Sequence, residues 1–251
     1  MSEHALVTGA AKRIGKALAL HLADQGYCVS VHYNTSRADA QKVVSDIQSR
    51  GGKAVAIQAD LADMGSVIQL EAQAAAEFGP VTLLVNNAST FVSDEIGSIT
   101  PESWDHHLQP NLQAPVFLAQ AMADRLPKAE KGLIINMIDQ RVWALTPRYM
   151  SYTLSKAALW SATQTLAQAL APNIRVNGIG PGPTLSNARQ SDADFQAQIN
   201  ATILQVQPQL SEITAAIDFI RKAPSMTGQM IALDSGQHLA WETPDVVGCF
   251  E

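Results

Sequence analysis

The 251-residue chain is predicted to be an α/β protein: one doubly wound parallel sheet of about seven strands with helices on both faces. Three observations lead there. Short β-branched runs alternate with longer, Ala-rich stretches of helical period, the order of repeated strand–helix–strand units. The strands read as near-continuous apolar runs, the pattern of parallel strands buried on both faces. No linker, low-complexity tract or internal repeat divides the chain, so a single domain over 1–251 is expected.

Taken in order, the first strand, His4–Thr8, leads through a glycine-containing turn into an amphipathic helix near Arg13–Gly26. Val29–Tyr33 is followed by a helix near Arg37–Arg50, Ala54–Gln58 by one near Asp63–Gly79, and Leu83–Asn86 by a long segment over Pro101–Leu126. Gly132–Ile138 precedes a second long helix, Tyr149–Ala171, and the strands Ile174–Ile179 and Met230–Leu233 complete the set. Right-handed crossovers between parallel strands then place helices on both sides of the sheet. In such sheets ligands bind outside the carboxyl ends of the strands, where the winding reverses, so the residues just after each strand matter most.

Composition bounds the function. The chain is 47% hydrophobic and 16% charged, enough apolar residue for a core and too little charge for disorder. Aromatic residues make up only 6%, which argues against a β-sandwich. With 17 Lys+Arg against 23 Asp+Glu the net charge is -6, so neither nucleic acid nor an anionic membrane is an expected partner of the whole surface. Cys28 and Cys249 form no CxxC or CxxH pair, no apolar run approaches the ~18 residues of a membrane span, and Glu3 and His4 lead straight into a strand without a secretory leader. A reduced, cytoplasmic protein is expected.

After the first strand comes Thr8-Gly9-Ala10-Ala11-Lys12-Arg13-Ile14-Gly15. Gly9 permits a tight turn, Gly15 permits close helix–strand packing, and the N–H groups of the first helical turn face a pyrophosphate. Alone, a two-glycine loop is also an ordinary strand-to-helix turn; its place after the first strand of a Rossmann-type order favours the dinucleotide. An acid near the end of the second strand would hold a ribose 2′-hydroxyl, but here the chain reads His32-Tyr33-Asn34-Thr35-Ser36-Arg37, with no acid before Asp39. Ser36 can donate to a 2′-phosphate and Arg37 and Lys12 can neutralise it, so the expected cofactor is NADPH rather than NADH. Asp60-Leu61, at the end of the third strand, is placed beside the adenine.

Tyr152 and Lys156 stand four apart on one helical face. A Lys ammonium beside the phenol is expected to lower its pKa from about 10 towards neutrality, making a general acid for a reduction. Such a pair is also a common surface feature of helices.

Together these pieces resemble the short-chain dehydrogenase/reductase family over essentially the whole chain: Thr8–Gly15, Asp60-Leu61, Asn86-Asn87-Ala88, Asn111, Tyr152 with Lys156, Pro181-Gly182 and Thr227-Gly228-Gln229. The resemblance implies that Lys156 holds the nicotinamide ribose, that Asn111 supports a proton-relay water, and that Asn87, Ala88, Pro181 and Gly182 line the cofactor. It also implies a homotetramer, and the Ala/Leu-rich helices near Pro101–Leu126 and Tyr149–Ala171 have more apolar surface than one core face needs.

Two departures are informative. The middle glycine usual in the family's phosphate loop is Arg13, and the usual catalytic serine, thirteen residues before the tyrosine, is Asp139. A serine hydroxyl polarises a carbonyl, whereas a carboxylate partners a ring nitrogen. With Asn86-Asn87-Ala88-Ser89-Thr90-Phe91, His32–Ser36 and Gly178–Pro183, these departures resemble the pteridine reductase and dihydromonapterin reductase branch, which often has Arg where this chain has Thr35. That resemblance implies a small-molecule pterin between the nicotinamide and Phe91, with Ser89, Arg13, Asp139 and Tyr152 making polar contacts and Leu185, Trp143 and Tyr149 bordering the pocket. A polar, turn-rich stretch from Thr184 to about Phe195 stands where the family has its substrate lid, expected near 184–200. The alternatives are an NADPH-dependent reductase of a 3-oxoacyl group or sugar ketone, and a non-catalytic NADP-binding sensor. His106 and His107 are expected to be surface residues of a helix, and no metal is expected.

Overall fold

The computed structural model describes residues 3–186 and 190–242. Seven parallel strands form one sheet in the order β3-β2-β1-β4-β5-β6-β7: β1 His4–Val7, β2 Cys28–Tyr33, β3 Lys53–Gln58, β4 Leu83–Asn86, β5 Gly132–Met137, β6 Ile174–Pro181 and β7 Met230–Leu233. The winding reverses at β1, which lies between β2 and β4, so the crevice of the fold opens at the ends of β1 and β4. The predicted strands are all present, with ends shifted by a residue or two.

Residue alternation along the strands builds two cores. Ala5, Val7, Leu83, Val85, Leu133 and Ile135 face helices α1 (Arg13–Asp24), α2 (Arg37–Ser49) and α8 (Leu210–Lys222), through Leu18, Leu22, Val43, Ile47, Ile213 and Ile217. Leu6, Leu84 and Ile134 face the other way, onto Val67 and Leu70 of α3 (Met64–Phe78), Leu118 and Met122 of α5 (Ala114–Arg125) and Ala167 of α6 (Met150–Ala169). Most of these strand residues are fully buried, each contributing about 1.5–3 kcal/mol for a Val-, Leu- or Ile-sized side chain.

Three elements differ from the sequence expectation. The segment from Pro101 is not one helix: α4 (Pro101–Leu108) passes into α5 through a π-helical turn, Gln109–Gln113, where Pro110 and Pro115 supply no N–H to a regular ladder. The stretch from Thr184 to about Phe195 is not turn-rich to its end, since helix α7, Asp192–Asn200, capped by the Ser191 hydroxyl, begins within it. Helix α8 was not anticipated, although Ile213, Ala216, Ile217 and Ile220 carry the required spacing. Residues 187–189 of the expected lid, and Cys249, lie outside the described residues. Among those described, no helix is long and apolar enough to cross a membrane, and no His/Cys/acid group is arranged to hold a metal ion.

Candidate active site

The phosphate loop is built by cross-strand hydrogen bonds rather than by its own turn alone. Gly9 takes a left-handed backbone (φ 62°), and its N–H donates to Nδ1 of His32 at 2.9 Å. His32 Nε2 faces the Ala59 carbonyl at 3.1 Å. That pair of contacts requires a neutral ring carrying its hydrogen on Nε2, and burial pushes the His32 pKa down to about 4. From β4, Asn87 Nδ2 donates to the carbonyls of Thr8 (2.9 Å) and Gly9 (3.2 Å), while the Thr8 hydroxyl accepts from the N–H groups of Asn87 and Ala88. A Cβ on Gly15 would fall 2.2 Å from the Gly9 carbonyl oxygen and 2.5 Å from Asn87 Nδ2. The absence of a side chain there lets α1 begin against the loop, with Ile14 and Gly15 in its first turn.

Arg13 occupies its glycine-like position in a left-handed conformation (φ 53°), uncommon for a residue with a side chain. Its guanidinium reaches across to the segment after β6, donating to the Ser186 carbonyl (2.6 Å) and the Leu185 carbonyl (3.1 Å). At the far end of the crevice, Ser36 stands at the start of α2 without a side-chain capping bond and Arg37 is exposed beside it, while Asp60 accepts from the Ala62 N–H and Asn34 Nδ2 next to buried Leu61. Lys12, expected at the same place, is ion-paired with Asp39 at 3.0 Å on the surface, leaving Arg37 the more available cation.

A cavity of about 580 Å³ opens beyond the loop, over the ends of β4, β5 and β6. Arg13, Ile14, Asn87, Ser89, Phe91, Asp139, Tyr152, Lys156, Pro181, Gly182 and Leu185 all line it, so residues scattered over most of the chain meet there. Asn111 does not reach it. Its side chain is spent on Thr90, accepting from the N–H (2.8 Å) and donating to the carbonyl (3.0 Å), and on the Ser155 hydroxyl (3.1 Å). Trp143 also lies outside the lining, packed edge-on against Trp160 and His238.

Tyr152 and Lys156, expected as the reactive pair, differ from expectation in their electrostatics. Tyr152 Oη donates to Asp139 Oδ2 at 2.8 Å. Burial first, then the Asp139 charge and that hydrogen bond, raise the Tyr152 pKa well above the ordinary phenol value. The predicted lowering by Lys156 does not occur, because Lys156 Nζ donates to the Met137 carbonyl (2.8 Å) and lies 5.8 Å from the Tyr152 ring centre. Burial in turn brings Lys156 down to about 8, against the opposing pull of Asp139. The cation that does act to lower Tyr152 is Arg141.

Arg141 was not anticipated, although it stands only two residues beyond Asp139. Its N–H donates to Asp139 Oδ1 (2.9 Å), and its guanidinium carbon is 5.4–5.5 Å from the ring centres of Phe91, Tyr149 and Tyr152. Its Nη1 is buried with no acceptor among the described residues. Phe91 stacks on Tyr149 at 4.4 Å and meets Tyr152 edge-on at 4.6 Å, so Tyr149 is a member of the site as expected. His107 is another correction: it is fully buried, whereas His106 is exposed. A buried His on α4 can be recognised only once the 90–94 segment is seen folded over it.

Comparison with known proteins gives the family. Residues 3–197 match the family model described as short chain dehydrogenase. The 3-oxoacyl-[acyl-carrier-protein] reductase of Staphylococcus epidermidis is 31% identical over 245 residues, 95% of this chain and all of the relative. Among solved structures, FolM alternative dihydrofolate reductase 1 from Brucella canis, complexed with NADP, is 50% identical with a TM-score of 0.95 and covers 97% of each chain. The corresponding Brucella suis protein, also in complex with NADP, is 50% identical with the same TM-score, covering 97% of this chain and 98% of that one. By its fold, its phosphate loop and its Tyr152/Lys156 pair, and by these matches, the chain belongs to the short-chain dehydrogenase family.

Proposed function

We propose that the protein reduces a pterin ring C=N bond with NADPH, on a substrate of the dihydromonapterin, dihydrobiopterin or dihydrofolate type. The observation that carries this reading is the 2.8 Å hydrogen bond from Tyr152 to Asp139, a carboxylate where a carbonyl reductase of this family uses a hydroxyl. The two Brucella neighbours, described as alternative dihydrofolate reductases with NADP, support it at 50% identity.

The residues present fit a dinucleotide: the Gly9 turn and the close approach that Gly15 allows form a cradle that a single Cβ would fill. Gly9, Arg13, Ile14 and Gly15 would hold the pyrophosphate, and Ser36 and Arg37, assisted by Lys12, the 2′-phosphate. Asp60 and Leu61 would flank the adenine, Asn87, Ala88, Pro181 and Gly182 the nicotinamide end, and Lys156 its ribose. NADPH, when bound, supplies the hydride. Phe91 offers an aromatic wall for a flat heterocycle, with Ser89, Arg13 and Leu185 around it.

Tyr152 keeps its phenolic proton at neutral pH, because burial and Asp139 both oppose the phenolate. Tyr152 Oη and Asp139 Oδ2 thus hold one proton between them at the cavity wall, and the pair delivers it to the ring nitrogen as the adjacent carbon takes the hydride. Solvent restores the proton. Asn111, with its amide fixed on Thr90 and Ser155, acts by holding the segment that carries Ser89 and Phe91 rather than by touching substrate.

Reduction of a 3-oxoacyl group or sugar ketone is the second reading, favoured by the 31% identity to a 3-oxoacyl-carrier reductase. The two part in an NADPH-oxidation assay at 340 nm with dihydropterins, a 3-oxoacyl thioester and simple ketones. The pterin reading requires turnover of the dihydropterins well above that of the carbonyl compounds; the reverse order overturns it, and NADPH binding with no turnover of any of them favours the sensor. Assembly as a homotetramer in the cytoplasm is part of the proposal; the exposed Trp104, Phe117 and Leu154 on α4, α5 and α6 support self-association.

A further inference from the structure

Helix α6, which carries Tyr152 and Lys156, begins without a cap of its own. Its N-cap residue, Tyr149, is left-handed (φ 54°), makes no side-chain capping bond, and is followed by no acid in the first turn. Exposed or buried, the free N–H groups of a helix start need acceptors. Here they are supplied from 55 residues or more away in sequence: the Asp94 carbonyl accepts from the Met150 N–H (3.1 Å) and Asp94 Oδ1 from the Ser151 N–H (3.1 Å), while Oδ2 accepts from the Ser151 hydroxyl. Asp94 and Ser151 are almost wholly buried.

A third buried residue completes the cluster. His107 Nε2 accepts from the Val92 N–H (3.0 Å), which places the ring hydrogen on Nδ1, facing the Ser103 carbonyl (3.0 Å) and Ser151 Oγ (2.6 Å). The hydrogens therefore run from His107 to Ser151 to Asp94. Although Ser, His and Asp meet, this is no hydrolytic triad: the serine hydroxyl already donates to Asp94, and the nitrogen that would have to accept its proton carries a hydrogen. Instead the cluster joins three pieces of the site, namely the 91–94 segment that bears Phe91, helix α4, and the first turn of α6.

We infer that Asp94 is a positioning residue for the reductase: it caps α6 from another segment and, through Ser151, sets Tyr152 against Asp139 and Phe91. This rests on Tyr152 being the proton donor, and not on which substrate is reduced. The phenol follows Ser151 directly in sequence, so a change in the first turn of α6 moves Oη relative to Asp139 Oδ2. A displacement of about 1 Å at a reacting group costs on the order of 100-fold in rate.

The test compares Asp94→Ala, Asp94→Asn and Tyr152→Phe, using whichever of dihydrofolate, a 3-oxoacyl thioester or phenanthrenequinone the wild-type protein reduces. Asp94→Ala is expected to lower kcat by about 10- to 100-fold, from misplacement of the phenol, with NADPH affinity and KM little changed and a larger isotope effect with 4-deuterated NADPH. Asp94→Asn retains Oδ1 as an acceptor and should recover most of the loss. Amide exchange read on the first turn of α6, which needs no substrate, should accelerate in Asp94→Ala and not in Asp94→Asn. If Asp94→Ala does not fold, Asp94→Ser takes its place, with the same direction of change expected. Wild-type kcat, isotope effect and exchange in the Ala or Ser variant, alongside an inactive Tyr152→Phe, overturn the inference; an active Tyr152→Phe overturns the role of Tyr152 instead.

Discussion

Replacing Asp139 by asparagine alters one charge and almost no volume, which isolates what the carboxylate does. In the wild-type protein its Oδ1 accepts the Arg141 N–H at 2.9 Å and its Oδ2 accepts the Tyr152 hydroxyl at 2.8 Å. Asparagine can keep the first contact through its carbonyl oxygen, but then its amide nitrogen, a donor, faces the phenol. Tyr152 Oη must turn its proton away, and the shared proton of the pair is lost. A buried hydrogen bond to a charged group is worth about 1.5–3 kcal/mol, which at about 1.4 kcal/mol per decade is a fall of roughly 10- to 150-fold in kcat with a dihydropterin. NADPH affinity should hold, because the dinucleotide cradle is formed by other residues. Two of the causes that raise Tyr152 are also removed, so any rate limb governed by the phenol moves to lower pH, while burial keeps acting in the original direction. The assay is NADPH oxidation at 340 nm from about pH 7 to about pH 11, which covers a limb moved down from above the ordinary phenol value of about 10, with cofactor binding followed separately by fluorescence. Asp139→Asn with kcat and pH profile unchanged on dihydropterin would refute the proton-sharing role, and Asp139→Ser with full pterin activity would refute the distinction between carboxylate and hydroxyl.

Three further outcomes follow from the cofactor side of the site. His32 is held neutral at a pKa of about 4 against 6.5 when unfolded, so between those values the unfolded chain binds more protons and stability falls as the pH drops; from pH 7 to pH 5 this amounts to about 2 kcal/mol. Urea denaturation at the two pH values should show a shallower loss in His32→Asn, and equal losses would remove His32 as the cause. Gly15→Ala places a Cβ 2.2 Å from the Gly9 carbonyl and should cost about 1–3 kcal/mol of stability by overpacking together with most NADPH affinity, read by thermal melting with and without cofactor; an alanine variant that melts and binds normally contradicts the close approach. NADPH should bind more tightly than NADH, less so as salt rises, and Arg37→Gln should narrow the preference by about tenfold, one charge-assisted hydrogen bond at a solvent-facing position. Indifference of the preference to Arg37 would shift the 2′-phosphate contact to Ser36 or Lys12.

The strands, the dinucleotide loop and the pairing of Tyr152 with Lys156 were legible without coordinates because each is written in local spacing, as apolar runs, glycines at a turn and two side chains on neighbouring turns of a helix, whereas the place of Asp139 came from the resemblance to the family. What local spacing cannot hold is the direction of an interaction across the fold. The sequence places Lys156 one turn from Tyr152, yet only the folded chain shows its ammonium turned to the Met137 carbonyl, and a phenol raised by burial and Asp139 rather than lowered. Burial is a property of everything packed around a group, so neither this shift nor the neutrality of His32 could be read from neighbours in sequence. The same holds for Asp94 and His107, which are ordinary polar residues of a loop and a short helix until the 91–94 segment folds over α4 and meets the start of α6. The chain's own order thus determined which chemical groups are available and at which strand ends they lie. Tertiary structure decided which proton each of them holds and which group it faces, because hydrogen-bond direction and desolvation are set by residues brought together from distant parts of the chain.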